Sequence, residues 1–261
     1  NGAQINIFVK LLTINRMRAY ICPVEGARER GIAMKQGQGA VKGIGIPVPV
    51  VRRLTKYLGH IQDAEAGGQK WISSHDLAWA LGLTSSTVRQ DLTHIEAHGI
   101  AKRGYRVDTM RAQLREVLGL NAPWNVAIIG AGNVGCSLAT HSDLRGATFN
   151  VVAIFDNDPR VIGSRVGSMT VRSMRTLPRL AGQLRIDIGV LAVPSASAQR
   201  AADQLIMSRV PGILNLASAY LKVSQRTALV NSHLIEYLLE LSHEIQNKRV
   251  RGVRRRAPAG G

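Results

Sequence analysis

A chain of 261 residues, 45% of them apolar, has material for two ordinary domains with real cores. Lys and Arg outnumber Asp and Glu by 34 to 17, which favours a polyanionic partner such as nucleic acid, although the excess runs through both halves of the chain and singles out neither. The two cysteines, Cys22 and Cys136, exclude a disulfide scaffold or a cysteine-rich metal site and fit a reducing, cytoplasmic setting. The apolar stretch at residues 5–21 is broken by Lys10, Asn15, Arg16 and Arg18, so no membrane helix is expected.

Residues 1–45 mix short apolar runs with glycines and carry no sustained period, which predicts a loosely ordered extension. A winged-helix domain is predicted over residues 46–120. Val50, Val51, Leu54, Tyr57, Leu58 and Ile61 recur at helical spacing before Gly67 and Gly68. Ser73 and Asp76 then have the spacing of a capping box ahead of a short helix over residues 77–81. A turn at Gly82 leads to a third helix over residues 87–97, capped by Ser85 or Ser86, with Val88, Leu92 and Ile95 inward and Arg89, Gln90, Thr93 and His94 outward. Helix, tight turn, helix is the helix-turn-helix plan. Two short β-like pieces over residues 99–107, around the basic tip Lys102-Arg103, read as the wing. Asp108 caps a helix to Leu118, and the domain closes near residues 120–123.

From there strand and helix alternate. Strands are predicted at residues 125–129, 150–155, 169–171, 187–193, 212–216 and 228–231, with helices at 134–141, 173–183 and 196–207 between them. The fold class is therefore α/β: a winged helix-turn-helix followed by a Rossmann-type doubly wound parallel sheet over residues 121–231. A last helix covers residues 234–245 within a segment at 232–248, and a basic tail at 249–261 follows.

The sharpest motif is Gly130-Ala131-Gly132-Asn133-Val134-Gly135, between a predicted strand and helix. Gly130 permits the tight turn, Gly132 lets the backbone approach a pyrophosphate, and Gly135 allows the helix to pack on the sheet, with the helix N-terminus facing the phosphate charge. The next strand ends in Asp156, about 20 residues on, where an acid accepts a ribose hydroxyl. Asp156 favours NAD(H) over NADP(H), while Arg160 and Arg165 nearby keep the phosphorylated form open. Ala192-Val193-Pro194 ends a later strand at the carboxyl edge and is read as bordering the nicotinamide half, or as an ordinary strand-to-helix turn. Arg89 and Gln90 have the reach for base edges. Ser85, Ser86 and Thr87 at the helix N-terminus can hold phosphates, and Lys102 and Arg103 suit a groove or backbone contact. The arginines of the tail add non-specific phosphate attraction. His60, His75 and His98 read as surface or packing residues, and Cys136 as a small buried hydrophobe.

The arrangement resembles the Rex family of redox-sensing transcriptional repressors over about residues 46–245. The shared stretches are Ile46-Pro47, Val51-Arg52-Arg53-Leu54 with Tyr57-Leu58, Ile72-Ser73-Ser74 with Leu77, Val88-Arg89-Gln90-Asp91-Leu92 and Lys102-Arg103-Gly104. In the second domain they are Gly130 to Gly135, Phe155-Asp156 with Asp158-Pro159, Ala192-Val193-Pro194 and Gly212-Ile213-Leu214-Asn215. The resemblance implies a homodimer whose last helix swaps onto its partner, with Arg52 and Arg53 among the DNA contacts. It also implies binding to a palindromic operator in double-stranded DNA with NAD⁺ or no ligand, and release by NADH. Five positions depart from the pattern: Gly59, His141 and His233 stand where family members often carry Arg, Tyr and Asp in a polar switch, and Gln90 and His94 stand where the family prefers Lys and Tyr in the DNA-binding helix. Coupling between the two sites is then weakened, rewired or made pH-sensitive. An NAD-dependent oxidoreductase is the competing enzyme reading, but no acid–base constellation accompanies Asp156 at the sheet's carboxyl edge. A DNA-binding dimer whose sensing is lost is a third reading.

Overall fold

The computed structural model describes residues 45–145 and 148–256. The predicted extension, apart from Gly45, lies outside the described residues, as do Cys22 and residues 257–261 of the tail. The chain forms two compact units that meet between Asn121 and Ala122.

In the first unit, α1 (Val48–Ala66) opens with proline in its first turn, where the missing N–H costs nothing. It buries Val50, Leu54, Tyr57, Leu58, Ile61 and Ala64, while Val51 stays half-exposed. Strand β1 (Trp71–Ile72) precedes α2 (Ser74–Leu81). The capping box forms as its spacing predicts: Asp76 N donates to Ser73 Oγ at 3.1 Å and Ser73 N donates to Asp76 Oδ2 at 3.0 Å. The Ser73 hydroxyl, which donates to Asp76 Oδ2 at 2.7 Å, and then the Ser73 N–H hold the Asp76 carboxyl below its usual range. Its stabilising contribution is therefore complete above about pH 4 and lost as pH falls through the depressed value. Replacing Ser73 by alanine is expected to cost about 1 kcal/mol in chemical denaturation at neutral pH, with the penalty shrinking in acid.

Gly82, in the left-handed region at φ 65°, ends α2 and leads to α3 (Ser85–Thr93). Two details of the expected third helix are corrected. Its cap is Thr84, whose Oγ1 accepts from Thr87 N at 3.1 Å, so Ser85 and Ser86 already belong to the first turn. The helix also stops at Thr93 rather than Ala97, because Glu96 turns to φ 53° and Ala97 N reaches back to Leu92 O. Val88, Leu92 and Ile95 are buried as their spacing predicts.

Of the two short β-like pieces expected within residues 99–107, only the second becomes a strand. Ile100 and Gly104 form a single bridge around the tip, while β2 (Tyr105–Arg106) pairs antiparallel with β1. Gly104 permits this at φ 87°, where a Cβ would overlap the carbonyl oxygen of Ile72. Helix α4 (Val107–Val117) starts before Asp108, which sits in its first turn and accepts from Thr109 N rather than occupying the cap.

Mid-helix Gly59 is exposed, and an added Cβ would meet nothing within 4 Å. Gly59→Ala is expected to raise stability by about 0.5–1 kcal/mol, read in urea unfolding.

The second unit carries a seven-stranded sheet in the order β5-β6-β4-β3-β7-β8-β9. Its strands are β3 (Trp124–Ile129), β4 (Phe149–Asp156), β5 (Arg165–Val166), β6 (Met169–Ser173), β7 (Ile188–Leu191), β8 (Gly212–Asn215) and β9 (Ala228–Asn231). All neighbours are parallel except the edge pair β5·β6. The chain reverses direction of growth at β3, which puts a topological switch point between β3 and β7. Helices α5 (Asn133–Thr140), α6 (Leu177–Gln183) and α7 (Ser195–Met207) connect the strands. Side chains of β3 alternate, Ala127 and Ile129 joining one core and Val126 and Ile128 the other, as a sheet covered on both faces requires. Gly189 lets α7 sit close: a Cβ there would stand 2.5 Å from Leu205 Cδ1.

The final helix, α8 (Leu234–Arg256), runs beyond the expected end at Ile245 and takes in much of the basic tail. Among the described residues no helix is long and apolar enough to cross a membrane.

Candidate functional site

The glycine loop is fixed by its neighbours on both sides. Gly130 N donates to Phe155 O of β4, and Ala192 N donates to Ile129 O, each at 2.8 Å. Gly130 has φ 104°, and a Cβ there would overlap the carbonyl oxygen of Ala192; one on Gly135 would overlap the carbonyl oxygen of Gly130. Both glycines are therefore required by the protein's own packing.

Gly132 is different. Its backbone, φ −73° and ψ −174°, is open to any residue, and an added Cβ would meet no atom within 4 Å. That space belongs to a cleft of about 440 Å³ at the carboxyl edge of the sheet, lined by Gly130, Ala131, Gly132, Asp156, Ala192, Val193 and Pro194. Seven of the predicted ligand residues thus converge on one cleft. Asn133, Val134 and Gly135 form the first turn of α5 behind the loop.

Asp156 braces the loop, its Oδ2 accepting from Ala131 N at 2.6 Å and its Oδ1 from Asp158 N at 2.8 Å. A carboxylate has further lone pairs, so a ribose hydroxyl can add to these bonds. Arg160 is turned onto Asp158, with Nη2 at 2.6 Å from Oδ2, and holds that carboxyl down to about 2. Residues such as Asn157, Val161, Met174, Ser197 and Arg200 complete the lining. Sequence reasoning missed these lining residues; the available signal was position, just after Asp156 for Asn157 and Val161 and the first turns of the helix after Pro194 for Ser197 and Arg200, while Met174 carried none. A glycine with empty space before it, a helix N-terminus and an acid at the strand end fit a dinucleotide's pyrophosphate and ribose. Cys136 Sγ donates to Ala131 O at 3.1 Å beneath the loop.

In the first unit α2, the turn and α3 present Arg89 and Gln90 outward. Arg89 Nη1 lies 3.5 Å from Ser74 Oγ. Ser86 is exposed and Ser85 half-exposed in the first turn, while Thr87 is tied to the Thr84 cap; Lys102 and Arg103 are exposed on the wing, and Arg52 is half-exposed on α1. Arg53 departs from the expectation that it contacts DNA. Its Nε and Nη2 donate to the buried Asp91 at 2.6 and 2.7 Å, so its charge is spent joining α1 to α3.

Of the altered switch positions, Gly59 is exposed on α1 and His141 follows α5. His233 is 3% exposed just before α8, with Nδ1 3.0 Å from Glu236 Oε1 and the Tyr220 ring edge-on. Its Nε2 faces the Asn215 amide nitrogen at 3.3 Å, which itself donates to Ala219 O and Asn231 Oδ1. Among the described residues no group of three or more His, Cys, Asp or Glu is placed to hold a metal.

Two family models match, one described as putative DNA-binding protein N-terminus over residues 45–93 and one as CoA binding domain over residues 121–219. The redox-sensing transcriptional repressor Rex of Clostridium botulinum is 36% identical over 197 residues, 76% of this chain and 94% of its own. That of Desulfitobacterium hafniense is 34% identical over 209 residues, 80% of this chain and 100% of its own. The chain belongs to the Rex family of redox-sensing transcriptional repressors. Members of the Rex family are repressors rather than enzymes, which removes the oxidoreductase reading. The crystal structure of RSP with β-NAD⁺ and operator DNA superposes with a TM-score of 0.74 at 31% identity, covering 82% of this chain and 99% of that one. The structure of RSP with β-NADH gives 0.72 at 32% identity, covering 79% and 97%.

Proposed function

We propose that this chain binds a palindromic operator as a homodimer, through Arg89, Gln90, the first turn of α3 and the wing, and leaves it when NADH enters the cleft at Gly132. The observation that carries the reading is Gly132 itself: neither its backbone nor its neighbours demand glycine, so the demand comes from a ligand. RSP binds NAD⁺ with operator DNA and, separately, NADH, and the same ligands suit this cleft. Asp156 at the strand end favours NAD(H) over its phosphorylated form, since a 2′-phosphate would meet a carboxylate. The dimer is supported by α8, whose Leu234, Ile235, Leu238, Leu239, Leu241 and Ile245 are exposed in the single chain. A protein that reads NADH and binds DNA works in the cytoplasm, and this reading assigns the chain there.

Fluorescence anisotropy with a palindromic Rex operator, at fixed salt and two pH values, tests the proposal. Tight binding alone and with NAD⁺, and release by NADH, are expected. Binding indifferent to both nucleotides would favour a second reading, a DNA-binding dimer with altered sensing. The replacement of Arg, Tyr and Asp by Gly59, His141 and the hydrogen-bonded His233 supports that alternative. One equilibrium between two dimer geometries, each preferred by one ligand state, suffices for the coupling.

A further inference from the structure

Strand β1 offers a residue that neither the glycine loop nor the recognition helix explains. The guanidinium carbon of Arg103 lies 4.6 Å from the centroid of the Trp71 ring. Trp71 is half-buried on β1, and Arg103 stands at the tip of the wing. The tip is a closed loop: Arg103 N and Gly104 N both donate to Ile100 O, and Ile100 N donates to Gly104 O. Below it, Trp71 pairs with Arg106 and Ile72 with Tyr105, so the indole is held by a ladder at the foot of the loop whose tip carries Arg103. Arg106, the nearest other cation on that ladder, is turned onto Asp108 with Nη2 2.5 Å from Oδ2.

We propose that Trp71 is a positioning residue that presents the Arg103 guanidinium to the operator. An arginine on an exposed loop tip ordinarily samples many rotamers, and fixing it costs binding free energy. A ring under the guanidinium carbon restricts those rotamers in advance. The attraction is between the cation's charge and the ring's quadrupole, so it does not need the N–H donors that phosphate oxygens or groove edges would take. The backbone around Arg103 is equally constrained, by Lys102 at φ 62° on one side and Gly104 at φ 87° on the other. This role rests on the proposed DNA binding and adds to it a residue that touches no DNA itself.

The test combines Trp71→Leu, Trp71→Phe, Arg103→Ala and the Trp71→Leu/Arg103→Ala pair in the full chain, with operator affinity measured over a range of salt concentrations. Trp71→Leu is expected to weaken binding about two- to fivefold without changing the salt slope, since the charge remains. Trp71→Phe should recover part of the loss. Arg103→Ala should lower the slope by about one, and in that background Trp71→Leu should have no further effect. Independently of DNA, the Arg103 Hε resonance should lie upfield from ring current and move downfield in Trp71→Leu. Additive effects of the two substitutions, or an unshifted Hε in the parent chain, would overturn the role. Failure of the parent chain to bind operator would remove the DNA reading and this role with it, whereas the Hε shift would still report the stack.

Discussion

Replacing Asp91 by alanine is expected to lower the unfolding free energy by about 3 kcal/mol. Asp91 is 2% exposed, and its carboxylate accepts from Arg53 Nε and Nη2 and from Tyr57 OH, the last at 2.7 Å. The three side chains join α1 to α3, so the helix bearing Arg89 and Gln90 is anchored by the opposite face of its own turn. Burial and the bond to Asp91 push the Tyr57 hydroxyl's pKa up, which keeps it a neutral donor, and the bond to Asp91 raises the pKa of Arg53. Without Asp91 a guanidinium and a buried hydroxyl lose their acceptor together. Water reaches Arg53, whose side chain is 27% exposed, and that rescue sets the cost at the lower end of what a broken buried ion pair shows.

Asp91→Asn should lose less, because an amide still accepts one bond. Replacing Arg53, Tyr57 and Asp91 together by leucine, phenylalanine and methionine should restore most of the stability, because no buried partner is then left stranded. Chemical denaturation of the full chain measures all three. A cost below about 1 kcal/mol for Asp91→Ala, the range of an exposed pair, would show that the pair is not made in solution. The same series separates Arg53 from Arg52. Arg53→Ala should destabilise the fold, whereas Arg52→Ala should leave stability unchanged and reduce the salt slope of operator binding.

The residues of this anchor were visible in the sequence, but their meeting was not. Arg53, Tyr57 and Asp91 stand in stretches shared with the Rex family, yet Arg53 and Asp91 are 38 positions apart. Nothing local says that an arginine on a basic chain faces inward to a carboxylate rather than outward to phosphate. The glycine loop was easier to read, because its chemistry is local: strand, turn, helix and the acid ending the next strand lie within one short segment. The wing's two β-like pieces were legible but their pairing was not, since two-residue strands carry too few side chains to set a register, and the partner of β2 lies more than thirty residues upstream. The last helix outruns its expected end because apolar spacing marks where a helix packs, not where it stops. Beyond Ile245 that spacing fades, but residues 246–256 contain no proline to end a helix.

Gly132 separates the sensor from the scaffold. Gly132→Ala is expected to unfold within about 0.5 kcal/mol of the parent chain, because two small effects oppose each other: alanine narrows the unfolded ensemble, and it caps a helix less well than glycine. Its Cβ would meet no protein atom. In the proposed complex the same Cβ stands where the pyrophosphate approaches the backbone, so NADH affinity should fall at least tenfold, read by titrating NADH fluorescence, and Gly132→Val should lose more. Gly135→Ala should behave in the opposite way. Its Cβ falls on the Gly130 carbonyl oxygen, the helix must move off the sheet, and a stability loss of at least about 2 kcal/mol accompanies any loss of ligand. Operator binding by Gly132→Ala should persist at NADH concentrations that release the parent chain. Unchanged NADH affinity in Gly132→Ala would mean that the ligand, if bound, approaches the cleft away from the glycine loop, and the assignment of pyrophosphate to the α5 N-terminus would fall with it.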